Sequence, residues 1–172
     1  PSSTVNGTMY AVVHPDATTC DRSNENYQYD QVEILEELGY WVMTWREPIY
    51  LENMNQPYLR DNIQSNAGIR DLMRLYAFNM TDHPVAVMID FDTIFTEPID
   101  SIITEFISGN NLTFYSKNQD DLVNVGSVFL KPSTTVFNSL ISTYQTNTYD
   151  ETTGWGGNQI THMGTTEFIS GN

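Results

Sequence analysis

The longest aliphatic run in the chain is Val85-Ala86-Val87-Met88-Ile89, and two carboxylates, Asp90 and Asp92, follow it one residue apart. A run this short and apolar reads as a strand buried on both faces, which needs helices packed against it. It falls far below the ~20 residues of a spanning helix. The rest of the sequence offers the missing partners. Strands are expected over 9–13, closed by His14-Pro15-Asp16, and over 40–45, 112–115 and 125–130. A helix from about Asn26 places Tyr27, Ile34, Leu35 and Leu38 on one face and stops at Gly39. A second covers about 67–79, where Ile69, Leu72, Met73, Tyr76 and Ala77 recur at helical spacing. A third starts at a Thr96 cap with Pro98 in its first turn, buries Ile99, Ile102, Ile103 and Phe106, and ends at Gly109. A fourth starts at Ser133 or Thr134 and buries Val136, Phe137, Leu140, Ile141 and Tyr144. Residues 16–26 and 46–67 read as loops. Such alternation predicts an α/β fold with a mainly parallel sheet, whose ligands sit beyond the carboxyl ends of the strands.

Length and charge narrow the partners. The chain has 172 residues, 40% hydrophobic and 12% aromatic, enough for one domain with a real core. Asp and Glu number 22 against 7 Lys and Arg, a net charge of −15. Seven scattered cations make no basic patch, so nucleic acid is excluded as a partner and anionic membrane surfaces are disfavoured. No membrane segment is expected. Cys20 is the single cysteine, so no internal disulfide and no zinc spacing exist. Sequons stand at Asn6-Gly7-Thr8, Asn79-Met80-Thr81 and Asn111-Leu112-Thr113. They point to a secretory lumen, with the cytoplasm as the alternative. The first residue is Pro1, so the chain is expected to begin inside a longer protein. The heptapeptide Thr104-Glu105-Phe106-Ile107-Ser108-Gly109-Asn110 recurs as the last seven residues, and is read as a misassembled end rather than a repeat architecture.

The chemistry is expected at the end of the apolar run. Along an extended chain, Asp90 and Asp92 point the same way and repel each other. A divalent cation, hard and oxygen-preferring, relieves that repulsion and leaves positions open for diphosphate oxygens. The plainer alternative is a solvated Asp-turn-Asp capping a strand. Trp41, Trp45, Tyr76 and Phe137 read as core, and His14 and His83 as loop structure. Arg70 reads as a surface partner of Asp71, with a second phosphate contact as the alternative, and Arg60-Asp61 as a border of the donor pocket.

Two families use such a carboxylate pair. A haloacid-dehalogenase-type phosphatase places Asp-x-Asp-x-Thr after its first strand, which would make Asp90 the nucleophile beside Mg²⁺. Here the motif comes ninety residues in, and Asp120-Asp121 stands in a polar stretch. More of the chain, from Met9 to about Gln159, resembles the glycogenin-like retaining glycosyltransferases (family eight, GT-A fold). Asp71-Leu72-Met73-Arg74-Leu75-Tyr76-Ala77 stands where that family has a helix carrying a basic residue, and Asp90-Phe91-Asp92-Thr93 where it has its metal motif. Glu97-Pro98-Ile99-Asp100 matches the next helix start. Asn124-Val125-Gly126-Ser127-Val128-Phe129-Leu130-Lys131-Pro132-Ser133 matches an Asn-x-Gly strand and its Pro-Ser turn, and Gly156-Gly157-Asn158-Gln159 echoes a Gly-Gly-Asp-Gln segment.

The resemblance implies a hexosyltransferase using a nucleotide-diphosphate sugar, UDP-glucose or UDP-galactose, and an acceptor it does not identify. It places Mn²⁺ or Mg²⁺ on Asp90 and Asp92, and the nucleotide-sugar against Arg74, Asp90, Phe91, Asp92, Asn124 and Gly126. Asn158 and Gln159 fall at the catalytic position, with Asn where the family has Asp. Residues 1–8 are then a loose lead-in, 9–159 a partial GT-A domain and 160–172 an irregular tail. The family's first strand, which lies between those matching 9–13 and 85–89, and its closing His segment have no counterpart. An inactive truncated fragment is therefore the non-enzyme alternative.

Overall fold

The computed structural model describes residues 5–18, 31–65, 68–90, 93–109, 114–116, 127–146, 149–150 and 154–155. Strand β1 (Tyr10–Val13) lies parallel to β2 (Trp41–Thr44), with Tyr10 opposite Trp41 and Val13 opposite Thr44. Between them come α1 (Pro15–Thr18) and α2 (Gln31–Glu37). The chain leaves α2 through Gly39, whose φ of 91° is the left-handed conformation that glycine adopts without strain. Residues 15–18, expected as loop, form the single turn of α1.

The second sheet has the order β3-β5-β4, built from β3 (Ala86–Ile89), β4 (Phe114–Ser116) and β5 (Ser127–Leu130). Both of its ladders are antiparallel. A two-stranded antiparallel hairpin of β6 (Tyr149–Asp150) and β7 (Gly154–Trp155) follows. The chain therefore mixes helices and strands as expected, but β1–β2 is the only parallel ladder among the described residues. Connection length explains the departure from a mainly parallel sheet. β3 and β4 both oppose β5, so they run the same way, and the helix α4 (Asp100–Ser108) lies between them in sequence. Only residues 117–126 separate β4 from β5. A parallel crossover needs about a dozen residues or more, so β5 returns antiparallel and inserts between the two.

Several elements start or end away from their expected places. The stretch 46–67 is not one loop. It holds a 3₁₀ turn at Leu51–Asn53 and the helix α3 (Pro57–Ser65). Pro57 occupies the first helical position, where its missing N–H is no loss and its φ is already helical. Ile49 and Met54, from the same stretch, are fully buried in the core. Helix α4 begins at Asp100 rather than near Thr96. Pro98 disfavours helical backbone at Glu97, which delays the start. Gly109 ends α4 as expected, with its N–H on the Glu105 carbonyl. Ser133 caps α5 (Thr134–Thr146), its Oγ accepting the Val136 N–H at 3.3 Å.

The stretch expected as a helix over 67–79 is a 3₁₀ helix, Ile69–Asn79, entered through Gly68 at φ 78°. It buries Leu72, Met73, Leu75 and Phe78. Together with Ala86, Val128, Leu130, Leu140 and Tyr144 these residues, Met73 apart, form one core with Ile49 and Met54. Trp45, Tyr76 and Phe137 do pack, with ring centres 4.6 and 5.8 Å apart along the row. Trp41 does not: it is 69% exposed, at the start of a strand with one ladder partner among the described residues. Ile34 on α2 and Leu38 just after it are also exposed, and so are Val136 on α5 and Ile89 at the end of β3. β3 is thus buried at Ala86 and progressively opens toward its carboxyl end.

β1 and β3 do not pair with each other among the described residues. Side chains join the two sheets instead. Tyr10 Oη and His83 Nε2 are 2.8 Å apart, and Arg70 reaches Asp16 at 2.5 Å. Tyr76 Oη donates to the Arg46 carbonyl at 2.9 Å. Among the described residues no helix is long and apolar enough to cross a membrane.

Candidate functional site

The site is built from the carboxyl end of β3 and the 3₁₀ helix beside it. β3 ends at Ile89, and beyond it the Thr93 N–H donates to the Asp90 carbonyl at 3.0 Å. Asp90 is half-exposed. In a 3₁₀ helix of three residues per turn, side chains at i and i+3 eclipse. Asp71 and Arg74 are such a pair, and the Arg74 guanidinium hydrogen-bonds the Asp71 carboxylate. Arg74 Nη2 also stands 3.7 Å from Asp90 Oδ1. One guanidinium therefore spans a carboxylate on its own helix and a carboxylate at the strand end.

Tyr144, on α5, lies within electrostatic reach of this pair. It is buried, and burial pushes its phenol well above the usual tyrosine range; Asp71 pushes the same way and Arg74 opposes it. The phenol stays protonated at any physiological pH. Sequence periodicity identifies Tyr144 as core but gives no signal that it stands within electrostatic reach of Asp71 and Arg74. That relation depends on how α5 lies against the 3₁₀ helix.

Arg74 and Asp90, both expected to contact the nucleotide-sugar, stand 3.7 Å apart. The structure assigns Arg70 differently: its partner is Asp16, on α1, and not Asp71. Arg60 and Asp61 fall on α3. Phe91, Asp92, Asn124, Gly126, Asn158 and Gln159 lie outside the described residues, as do Cys20, Tyr27, Asn111 and Asp120-Asp121. Among the described residues no group of three or more His, Cys, Asp or Glu is placed to hold a metal ion. Asp90 offers one hard, solvent-accessible oxygen ligand of the type Mn²⁺ or Mg²⁺ takes, while Asp71 is occupied by Arg74. Asp92, the second carboxylate expected to hold a cation, lies outside the described residues.

His14 and Glu47 form a second polar cluster. The imidazole is 7% exposed. Its Nδ1 accepts the Asp16 N–H at 3.2 Å, so Nε2 carries the proton and donates to Glu47 Oε2 at 2.8 Å. This satisfies both ring nitrogens inside the fold, consistent with a structural role.

Comparison with family models, with curated proteins and with solved structures found no match to this chain.

Proposed function

We propose that the chain is part of a retaining glycosyltransferase that binds a nucleotide-diphosphate sugar at the carboxyl end of β3, with a divalent cation on Asp90 and Asp92. The observation that carries the reading is the Arg74–Asp90 approach of 3.7 Å, which sets a fixed cation beside a half-exposed carboxylate where a strand ends. In this reading Arg74 holds the diphosphate through charge-assisted hydrogen bonds. Asp71 orients the guanidinium, so less ordering is needed when the ligand arrives. Asp90 supplies an oxygen ligand to the cation, whose chemistry is to neutralise the diphosphate as it leaves the sugar. Phe91, Asn124 and Gly126 line the donor in the related family, and Asn158 and Gln159 stand at its catalytic segment. UDP-glucose and UDP-galactose are the donors this reading favours.

Thermal denaturation tests it directly, because a ligand that binds only the folded state raises its stability. UDP with Mn²⁺ is expected to raise the midpoint of the wild-type chain, and Asp90→Asn to remove the Mn²⁺-dependent part of the rise. Stabilisation by beryllofluoride with Mg²⁺, and none by UDP with Mn²⁺, would overturn the reading in favour of a phosphatase with Asp90 as nucleophile.

A further inference from the structure

Two of the three sequons lie on surface that the candidate site does not use, and their backbones differ. Asn6, Gly7 and Thr8 are all exposed in non-helical chain leading into β1. A Cβ built on Gly7 meets nothing within 4 Å, so the space around this triplet is open. Asn79-Met80-Thr81 forms the turn between the 3₁₀ helix and β3. Met80 has φ −80° and ψ 56°, and the Thr81 N–H donates to the Asn79 carbonyl at 2.9 Å. That is an inverse γ-turn, a tight reversal that presents its flanking side chains outward. Asn79, Thr81 and Asp82 are exposed there. Asn79 uses its Oδ1 to accept the Thr134 hydroxyl at 3.0 Å, which leaves Nδ2 outside that bond.

We propose that Asn6 and Asn79 are acceptors for N-linked oligosaccharide. The co-reactant is a lipid-diphosphate-linked oligosaccharide of a secretory lumen, with the membrane transferase that uses it. The asparagine Nδ2 bonds to the anomeric carbon of the first sugar as the carbon–oxygen bond to the diphosphate breaks. One amide proton passes to a base of the transferase, and the lipid diphosphate leaves. The product amide keeps its carbonyl, so at Asn79 the bond from Thr134 survives glycosylation. Asn79 also lies before β3, whereas Asp90 lies after it, so a glycan on this turn leaves the carboxylate end of the strand open.

The test is made on the protein isolated from its own cells. Peptide N-glycosidase in ¹⁸O-water converts a glycosylated asparagine to ¹⁸O-labelled aspartate, which mass spectrometry locates. Label at Asn6 and Asn79 is expected, and unlabelled asparagine at both overturns the proposal. The variants Thr8→Ala and Thr81→Ala spare both asparagines and the Thr134 contact. In the full chain sent through a eukaryotic secretory pathway, each is expected to remove one glycosidase-sensitive mobility step. Unchanged mobility in both variants overturns the proposal as well.

Discussion

Arg74 is anchored to Asp71 one 3₁₀ turn away and faces Asp90, so its loss is expected to be felt by a charged ligand and little by a neutral one. Arg74→Ala should weaken UDP by about 1.5–3 kcal/mol, the range of hydrogen bonds to charged groups, while uridine binding changes little. Calorimetry with both ligands checks this, and equal weakening of the two would mean that the substitution had only damaged the helix. Glu47 belongs to stability rather than to the site. A hydrogen bond from its own backbone N–H holds its carboxyl below the ordinary 4.5; burial opposes this, and the hydrogen bond from His14 lowers it further. A folded value below the unfolded one means the contribution is complete above pH 4.5 and is lost as pH falls through the lowered folded value. The stability gap between wild type and Glu47→Gln should therefore be fully open above pH 4.5 and narrow as pH falls below it, as read by denaturant titration. At this scale Asp90 was legible because it directly follows the most apolar run of the chain. The His14–Glu47 pair was not, because its members are 33 residues apart and neither lies in a periodic segment.

Glycine and proline decided where elements begin and end, and most of that could be read directly. Gly39 and Gly109 stop their helices where expected, and Ser133 caps α5. Gly109 does so through close approach, not a left-handed backbone: its φ is −79°. A Cβ there would lie 2.6 Å from the Glu105 carbonyl oxygen, inside any real contact distance. Gly109→Ala should therefore force the last turn of α4 apart and destabilise the chain by about 1–3 kcal/mol, the usual cost of overpacking, measurable by denaturant unfolding. An unchanged midpoint would show that the turn opens at no cost. Other elements were misread for stated reasons. Pro57 looked like a loop residue because proline breaks helices in their interior, yet at the first position it starts α3. The 3.6-residue pattern at Ile69, Leu72, Met73 and Tyr76 fits a 3₁₀ helix nearly as well over three turns, so periodicity alone did not separate the two.

For the molecule as a whole, the edges of the two sheets matter most. β1 ladders only with β2, and β3 only with β5, among the described residues. Backbone groups on the other edges of β1 and β3 have no ladder partner there. The outward amides of β1 and β3 should exchange with solvent faster than the amides laddered to β2 and β5, as read by hydrogen exchange and NMR. Equal protection on both edges would show that the two strands are bridged. By itself the sequence determined the inventory: strands from apolar runs, helix ends from Gly39 and Gly109, an acidic surface from a charge of −15, and a carboxylate following the most apolar strand. These are local properties, set by side-chain size, charge and backbone preference within a few residues. Only the tertiary structure decided strand direction, the exposure of Trp41 and Ile89, the burial of Ile49 and Met54, and the meeting of Arg74, Asp71, Asp90 and Tyr144. Each depends on which distant segments pack together, and burial free energy, being non-directional, leaves that choice to the whole chain.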